Sequence, residues 1–361
     1  MRYLPKILVL LCCFTLVSIT ASELSAQKVD VLLMVSNLEN PTGIAINSET
    51  GHVFVATRFA VYRYVPDPKT PGVHVEIAGY PTDVYGKGDF ASSTKFHIGP
   101  LGLAFMDKDH LVVADGSRKD VDEVVRVYKV GSKAPAAGVE VDEKKALYTL
   151  GPMKPGDKTE AGAELVKSEG NFYGLAVGAG GIWVTCNGDD TKGWIARSEI
   201  KDGKPGKLVA TISTKEATSV DAPVAITFSL DGKQLLVGQM GEMNVKGDSL
   251  LTFYDPATGK MTKNYKTGLS DITGLAFSPK TKKLYATDFA WADQKEGGLF
   301  ELTITGDKVT TKKIVKLDKP GALAFDKDGN LYLAVFNTRK KGDNPDQSPG
   351  GLYRIPADQL K

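Results

Sequence analysis

Residues 320–335 read PGALAFDKDGNLYLAV, and the same plan occurs six times along the chain. The other copies are PTGIAINSETGHVFVAT from Pro41, PLGLAFMDKDHLVVAD from Pro100, FYGLAVGAGGIWVTC from Phe172, PVAITFSLDGKQLLVGQ from Pro223 and ITGLAFSPKTKKLYATD from Ile272. Each opens on a short alternating apolar run with a small residue at one fixed place: Gly43, Gly102, Gly174, Ala225, Gly274 and Ala322. Alternation at period two reads as a strand. A small side chain at the same point of every copy suits strands that converge on a narrow axis. Turns such as Asp231-Gly232 and Asp328-Gly329 supply the positive φ of tight hairpins. A repeat of this kind cannot bury its own apolar face and must stack on its copies.

A second strand (VFVAT, IWVTC, LYATD, LYLAV) follows each turn, then a third (AVYRYV, VVRVYKV, GLFELTI, GLYRI) and a more polar fourth (VHVEIAG, LVATIST, KKIVKL). Four antiparallel strands around a mostly apolar inner one make a propeller blade. The expected fold is therefore all-β, a six-bladed β-propeller of four-stranded antiparallel blades. The last copy has no fourth strand after Tyr353, whereas VDVLLMVSN, Val29 to Asn37, precedes the first blade without a partner. We expect that N-terminal strand to complete the last blade, removing an open edge. The marker spacings are 59, 72, 51, 49 and 48, so the first two intervals carry insertions, read as Gly79 to Gly99 and Gly151 to Gly170, too short for a seventh blade.

Residues 1–26 read as a signal peptide: Arg2 and Lys6 ahead of an apolar Ile7–Thr20, then small residues with cleavage after Ala21 or Ala26. The expectation is a periplasmic or secreted protein, off the membrane after cleavage, with residues 27–361 as one domain. Cys186 is then the only cysteine left, so no internal disulfide forms and stability rests on the core. The formal charge of +2 is dispersed, with no basic stripe carrying interleaved aromatics, which argues against nucleic-acid binding. A monomer is expected.

Strand direction places the two–three loops and the blade-to-blade connections on one face, to which both insertions are assigned. Loops on a rigid scaffold carry function. The ends of the second strands ring the channel mouth there with Arg58, Asp115, Asn187, Gln239, Asp288 and Asn337, and His97 lies in the first insertion. These polar groups are the candidate grip on a small polar ligand. The structural alternative is that they cap strand ends and satisfy loop amides. Asn187, Asp189 and Asp190 have oxygen ligands at calcium-like spacing, or form a solvated turn. Trp291 either packs a loop or shields a ligand. No zinc-type Cys/His pattern and no Gly-x-Ser-x-Gly elbow is present, and no catalytic residue is assigned.

The pattern Pro-x-Gly-Leu-Ala-Phe followed by Asp-Gly-Asn-Leu-Tyr-Leu-Ala resembles NHL repeats and the gluconolactonase/regucalcin and strictosidine-synthase-like propellers. In the lactonase branch, the resemblance implies a divalent metal near the axis, held by Asn or Asp just before the small residue of an inner strand and by a Glu of the first blade. Thr42, Leu101, Tyr173, Val224, Thr273 and Gly321 occupy the places before the small residue, and Glu39 stands a few residues early. The expectation is thus a binding or protein-interaction module without a cofactor, engaging a small polar ligand or a partner protein through its loop-rich face. The alternative is a calcium-dependent lactonase or esterase with Asp115, Asn187 and Asp288 on the metal and His97 as base.

Overall fold

Small side chains let six inner strands meet. In the computed structural model, a Cβ on Gly43 would stand 2.0 Å from the Leu101 carbonyl oxygen, and one on Gly102 would stand 1.8 Å from that of Tyr173. The structure describes residues 29–361 apart from 68, 70, 87–94, 120, 169, 188–191, 341, 345 and 346. The signal-peptide assignment and the Asp189–Asp190 pair lie outside the described residues.

The chain is a six-bladed β-propeller. From axis to rim, blade I is Gly43–Ile46, Val53–Ala56, Ala60–Val65 and Gly72–Ala78, and blade II is Pro100–Asp107, His110–Asp115, Val125–Lys129 and Tyr148–Leu150. Blade III is Phe172–Gly178, Gly181–Cys186, Trp194–Lys201 and Lys204–Ser213, and blade IV is Pro223–Phe228, Leu235–Gln239, Leu250–Tyr254 and Met261–Lys266. Blade V is Ile272–Phe277, Leu284–Asp288, Gly298–Thr305 and Lys308–Lys316. Blade VI is Pro320–Phe325, Leu331–Val335 and Gly350–Ile355, and Leu32–Leu38 forms its outermost strand. That strand runs antiparallel to Gly350–Ile355, with Leu33 opposite Tyr353 and Leu38 opposite Gly350, as the sequence leads one to expect. Ser348 fastens the junction, its N–H donating to Asn37 Oδ1 and its hydroxyl to the Leu38 carbonyl.

The core lies in the seams between blades. An aromatic of one inner strand meets an aromatic of the preceding blade's second strand: Phe105 on Phe54 at 5.2 Å, Phe228 on Trp183 at 6.5 Å and Phe325 on Tyr285 at 5.4 Å. Such aromatic pairs add about 0.5–1.5 kcal/mol each beyond area burial. Arg63 is fully buried under blade I, paired with Glu76 at 2.7 Å, donating to the Gly131 carbonyl and lying over the Phe54 ring.

Two details depart from the four-stranded plan. Blade I has a fifth strand, Val141–Asp142, lent by the loop joining the third and fourth strands of blade II and running parallel to Gly72–Ala78. The 151–170 insertion, expected over the channel face, lies instead along the outer strand of blade III. Glu160 N–H donates to the Ala210 carbonyl, and Met153 and Leu165 are buried with Leu208 and Ala210. Its apolar residues find an uncovered strand edge there, whereas the channel face offers them none. Among the described residues no helix is long and apolar enough to cross a membrane.

Candidate functional site

The first insertion does reach the channel mouth. It folds into a hairpin, Asp83–Gly86 with Lys95–Ile98, in which Tyr85 faces Phe96 and Val84 faces His97. Cross-strand partners share a face, so Tyr85 and Phe96 turn together toward the axis. The Phe96 ring sits among Phe289, Trp291 and Phe336, with centroids 5.8, 5.4 and 5.4 Å away. Tyr85 meets Trp291 at 5.7 Å, and Phe289 lies 4.8 Å from Trp291. This aromatic box closes the mouth and leaves beneath it a cavity of about 30 Å³, lined also by Asn171, Asn187 and Met240. That is room for about one water.

Below the box stands the ring of residues that precede the small markers. Thr42 Oγ1 donates to the carbonyls of Pro100 and Leu101, at 2.9 and 3.2 Å, and Thr273 Oγ1 to that of Pro320, at 2.7 Å. The Tyr173 hydroxyl reaches across from blade III to the Gly321 carbonyl of blade VI at 3.2 Å. Leu101 and Val224 complete the ring with apolar side chains. The two threonines tie neighbouring blades together, Tyr173 ties opposite ones, and the ring offers no carboxylate to a cation. The donor set does not fit the divalent metal that the lactonase likeness implies. Among the described residues no three Asp, Glu, His or Cys side chains come together as a metal-holding group, Asp115 and Asp288 included.

The seven sequence-derived candidates divide into groups. Arg58 and His97 come together on the rim. Arg58 pairs with Glu39 at 2.6 Å, donates Nε–H to Thr82 at 3.2 Å and lies over the exposed Phe59 ring, 4.5 Å from its centroid. Asn40 Nδ2 donates to the His97 carbonyl. Burial lowers the His97 pKa first, Arg58 lowers it further and Glu39 opposes, so the ring is neutral at pH 7. Asn187 is buried and lines the small cavity.

The other four serve strand ends. Asp115 accepts from Ser117 N–H at 2.8 Å and pairs with Arg118, which bonds Glu143 at 2.8 Å; Arg126 pairs with both acids. Gln239 Nε2 donates to the Val220 carbonyl and Thr218 Oγ1. Asp288 accepts from the N–H groups of Ser270, Asp271 and Ala290 at 3.0, 2.8 and 3.1 Å. Asn337, at φ 56°, donates to the Pro349 carbonyl and the Tyr353 hydroxyl. Asp271 lies beside Asp288 and is fully buried, with Oδ2 accepting from Trp291 N–H at 2.5 Å. Burial pushes its pKa up to about 8, the Trp291 N–H opposes this, and the Asp288 and Asp248 charges add to the rise.

The residues that fill the mouth are the aromatics just beyond the polar strand ends, Phe289 after Asp288 and Phe336 before Asn337, with Trp291, Tyr85 and Phe96. The signal was visible as a Phe or Met next to a polar strand end in three blades, Met240 being the third.

No family model and no curated protein matches this sequence. The fold has many solved counterparts. A gluconolactonase from Xanthomonas campestris superposes with a TM-score of 0.55 at 14% identity, covering 92% of this chain and 90% of its own. A PQQ-bound aldose sugar dehydrogenase from Streptomyces coelicolor gives 0.58 at 15% identity, covering 91% and 98%. A glucose dehydrogenase gives 0.56 at 16% identity, covering 91% and 99%. The structural neighbours are thus gluconolactonase-like and glucose-dehydrogenase-like propellers, and at these identities the likeness is one of fold.

Proposed function

We propose that this propeller is a binding module whose loop-rich face takes a small molecule with one apolar ring face, held in the aromatic box where Phe96 now sits. The observation that carries this is the box itself: three rings from blades V and VI enclose a fourth supplied by a blade-joining hairpin. Aromatic faces stack on planar apolar groups and on the C–H faces of sugars, and the sugar-acting neighbours fit the second kind of ligand. The test is titration of Phe96→Ala and the parent protein with indole, D-glucose and D-glucono-1,5-lactone, read by calorimetry. Saturable binding that Phe96→Ala strengthens and Trp291→Leu removes supports the reading. A Phe96→Ala protein that takes up none of the three overturns it.

A second reading, a lactonase or esterase-like hydrolase at the same face, draws support from the gluconolactonase fold neighbours and from the neutral His97 beside Glu39 and Arg58. The fold comparisons favour it over a non-catalytic role, and the chemistry of the axial ring favours the first. Hydrolysis of D-glucono-1,5-lactone with and without calcium, in parent and His97→Gln proteins, separates them. A calcium-dependent rate lost in the variant makes this reading the better one.

A further inference from the structure

The opposite face, formed by the one–two and three–four hairpins, has the larger opening. A groove of about 1000 Å³ runs from the axis along the seam between blades VI and I, and shares Thr227, Phe228 and Leu323 with a channel of about 320 Å³. Both volumes are of the size that small-molecule sites occupy. Apolar side chains from four blades line it: Ile46, Phe228, Leu230, Phe277 and Phe325.

At the seam end stand Arg354, Tyr64 and Tyr332. Tyr332 lies directly opposite Arg354 in blade VI, so the two side chains share a face, and Tyr64 comes across the seam from blade I. Arg354 forms no ion pair among the described residues. One Nη donates to Asn330 Oδ1 at 2.8 Å, while its Nε–H is buried and has no acceptor. Tyr64 is 5% exposed and Tyr332 is 4% exposed, yet neither phenol hydrogen-bonds to a described residue. The buried Arg354 Nε–H is a costly unpaired donor, whereas the two phenol hydroxyls remain accessible from the groove without a partner among the described residues. Burial raises both phenol pKa values and the Arg354 charge lowers both, which places the guanidinium beside the two rings. Asp326, whose charge acts on Tyr332, already accepts from the Asp328 and Asn330 N–H groups and from Asn330 Nδ2. The remaining lining charges are Asp67, Asp328 and Lys327, so the groove as a whole leans acidic. Only the seam end, at Arg354, favours a negative charge, and the acids elsewhere in the lining repel a polyanion.

We propose that this groove binds a small amphipathic carboxylate, its head accepting from Arg354, Tyr64 and Tyr332 and its apolar body lying along Phe228, Phe277 and Phe325. The site is separate from the aromatic box and stands whatever that box binds.

The test uses dodecanoate below its micellar concentration, titrated into the protein by calorimetry, with dodecanol, inorganic phosphate and phosphatidylcholine–phosphatidylglycerol vesicles as comparison arms. One saturable dodecanoate site is expected, weakened about tenfold or more by Arg354→Gln, since a charge-assisted contact is lost. The double variant Tyr64→Phe/Tyr332→Phe keeps the ring packing and removes only the hydroxyls, so it reports on the head site even if Arg354→Gln folds poorly. Leu230→Glu, at a residue 56% exposed, should weaken binding without loss of stability. Dodecanol binding as tightly as dodecanoate, a double variant with unchanged affinity, or binding to vesicles or phosphate with none to dodecanoate would each overturn the proposal.

Discussion

Phe96 and Trp291 meet over the channel axis with ring centroids 5.4 Å apart, one carried by the hairpin between blades I and II and the other by the two–three loop of blade V. The contact closes the loop-rich mouth from opposite sides of the ring. Replacing Phe96 with Ala removes the ring at the centre of the box and should cost about 2–4 kcal/mol in urea unfolding, as deletion of a largely enclosed Phe does. Trp291 emission should shift to the red as water enters. An unshifted spectrum with unchanged stability would mean that the box holds without Phe96.

Asp271 makes stability depend on pH in a definite direction. Its carboxyl titrates near pH 8 in the folded protein, mainly through burial, against a reference of 3.8. Between those values the folded state keeps a proton that the unfolded chain has released. Folding therefore takes up a proton there, and stability falls as pH rises from about 4 to 8 and then levels off. Asp271→Asn keeps an acceptor for Trp291 N–H and removes the titration. Relative to the parent, it should gain on the order of 4 kcal/mol between pH 5 and pH 8.5. Parallel denaturation curves at the two pH values would show that Asp271 is ionised throughout.

Gly102 admits no side chain. A methyl there would stand 1.8 Å from the Tyr173 carbonyl oxygen, a backbone atom that moves only if the inner strand of blade III moves. Gly102→Ala should lower stability by roughly 3 kcal/mol or prevent folding. Gly180→Ala serves as a comparison where the added methyl meets open space and only the positive φ resists, at a cost nearer 1 kcal/mol. Equal losses at the two positions would show that steric approach at the axis is not what selects the small marker.

The buried Arg63–Glu76 pair should be costly to break and cheap to replace. Arg63→Met leaves a carboxylate with 5% side-chain exposure and no cation, an expected loss of about 3–5 kcal/mol. The double variant Arg63→Met/Glu76→Leu should recover most of it. A double variant no more stable than the single one would place the cost in the lost Gly131 hydrogen bond and the Phe54 contact instead.

The sequence made the blades legible because each repeats one short pattern, and Gly43, Gly102 and Gly174 mark an axis that only small residues permit. It made the closing strand legible too, since Val29–Asn37 had no neighbour of its own. The loan of Val141–Asp142 to blade I was not legible, for a two-residue strand carries no periodicity and its pairing is purely tertiary. Nor was the course of the 151–170 insertion, which follows the bare edge of blade III. At the mouth, the polar strand ends were easy to see and the aromatics beside them less so. An Asp such as Asp288 looks the same in sequence whether it faces a ligand or, as here, accepts three backbone N–H groups.

The pairing of Leu32–Leu38 with Gly350–Ile355 joins stretches that leave the ribosome more than three hundred residues apart. Until the last of them is made, blade VI cannot be completed and the blades already formed stand as an unclosed arc, with the earliest strand still solitary. The ring can therefore lock only once Gly350–Ile355 has been made, and a contact of such long sequence separation is among the slowest a chain can form.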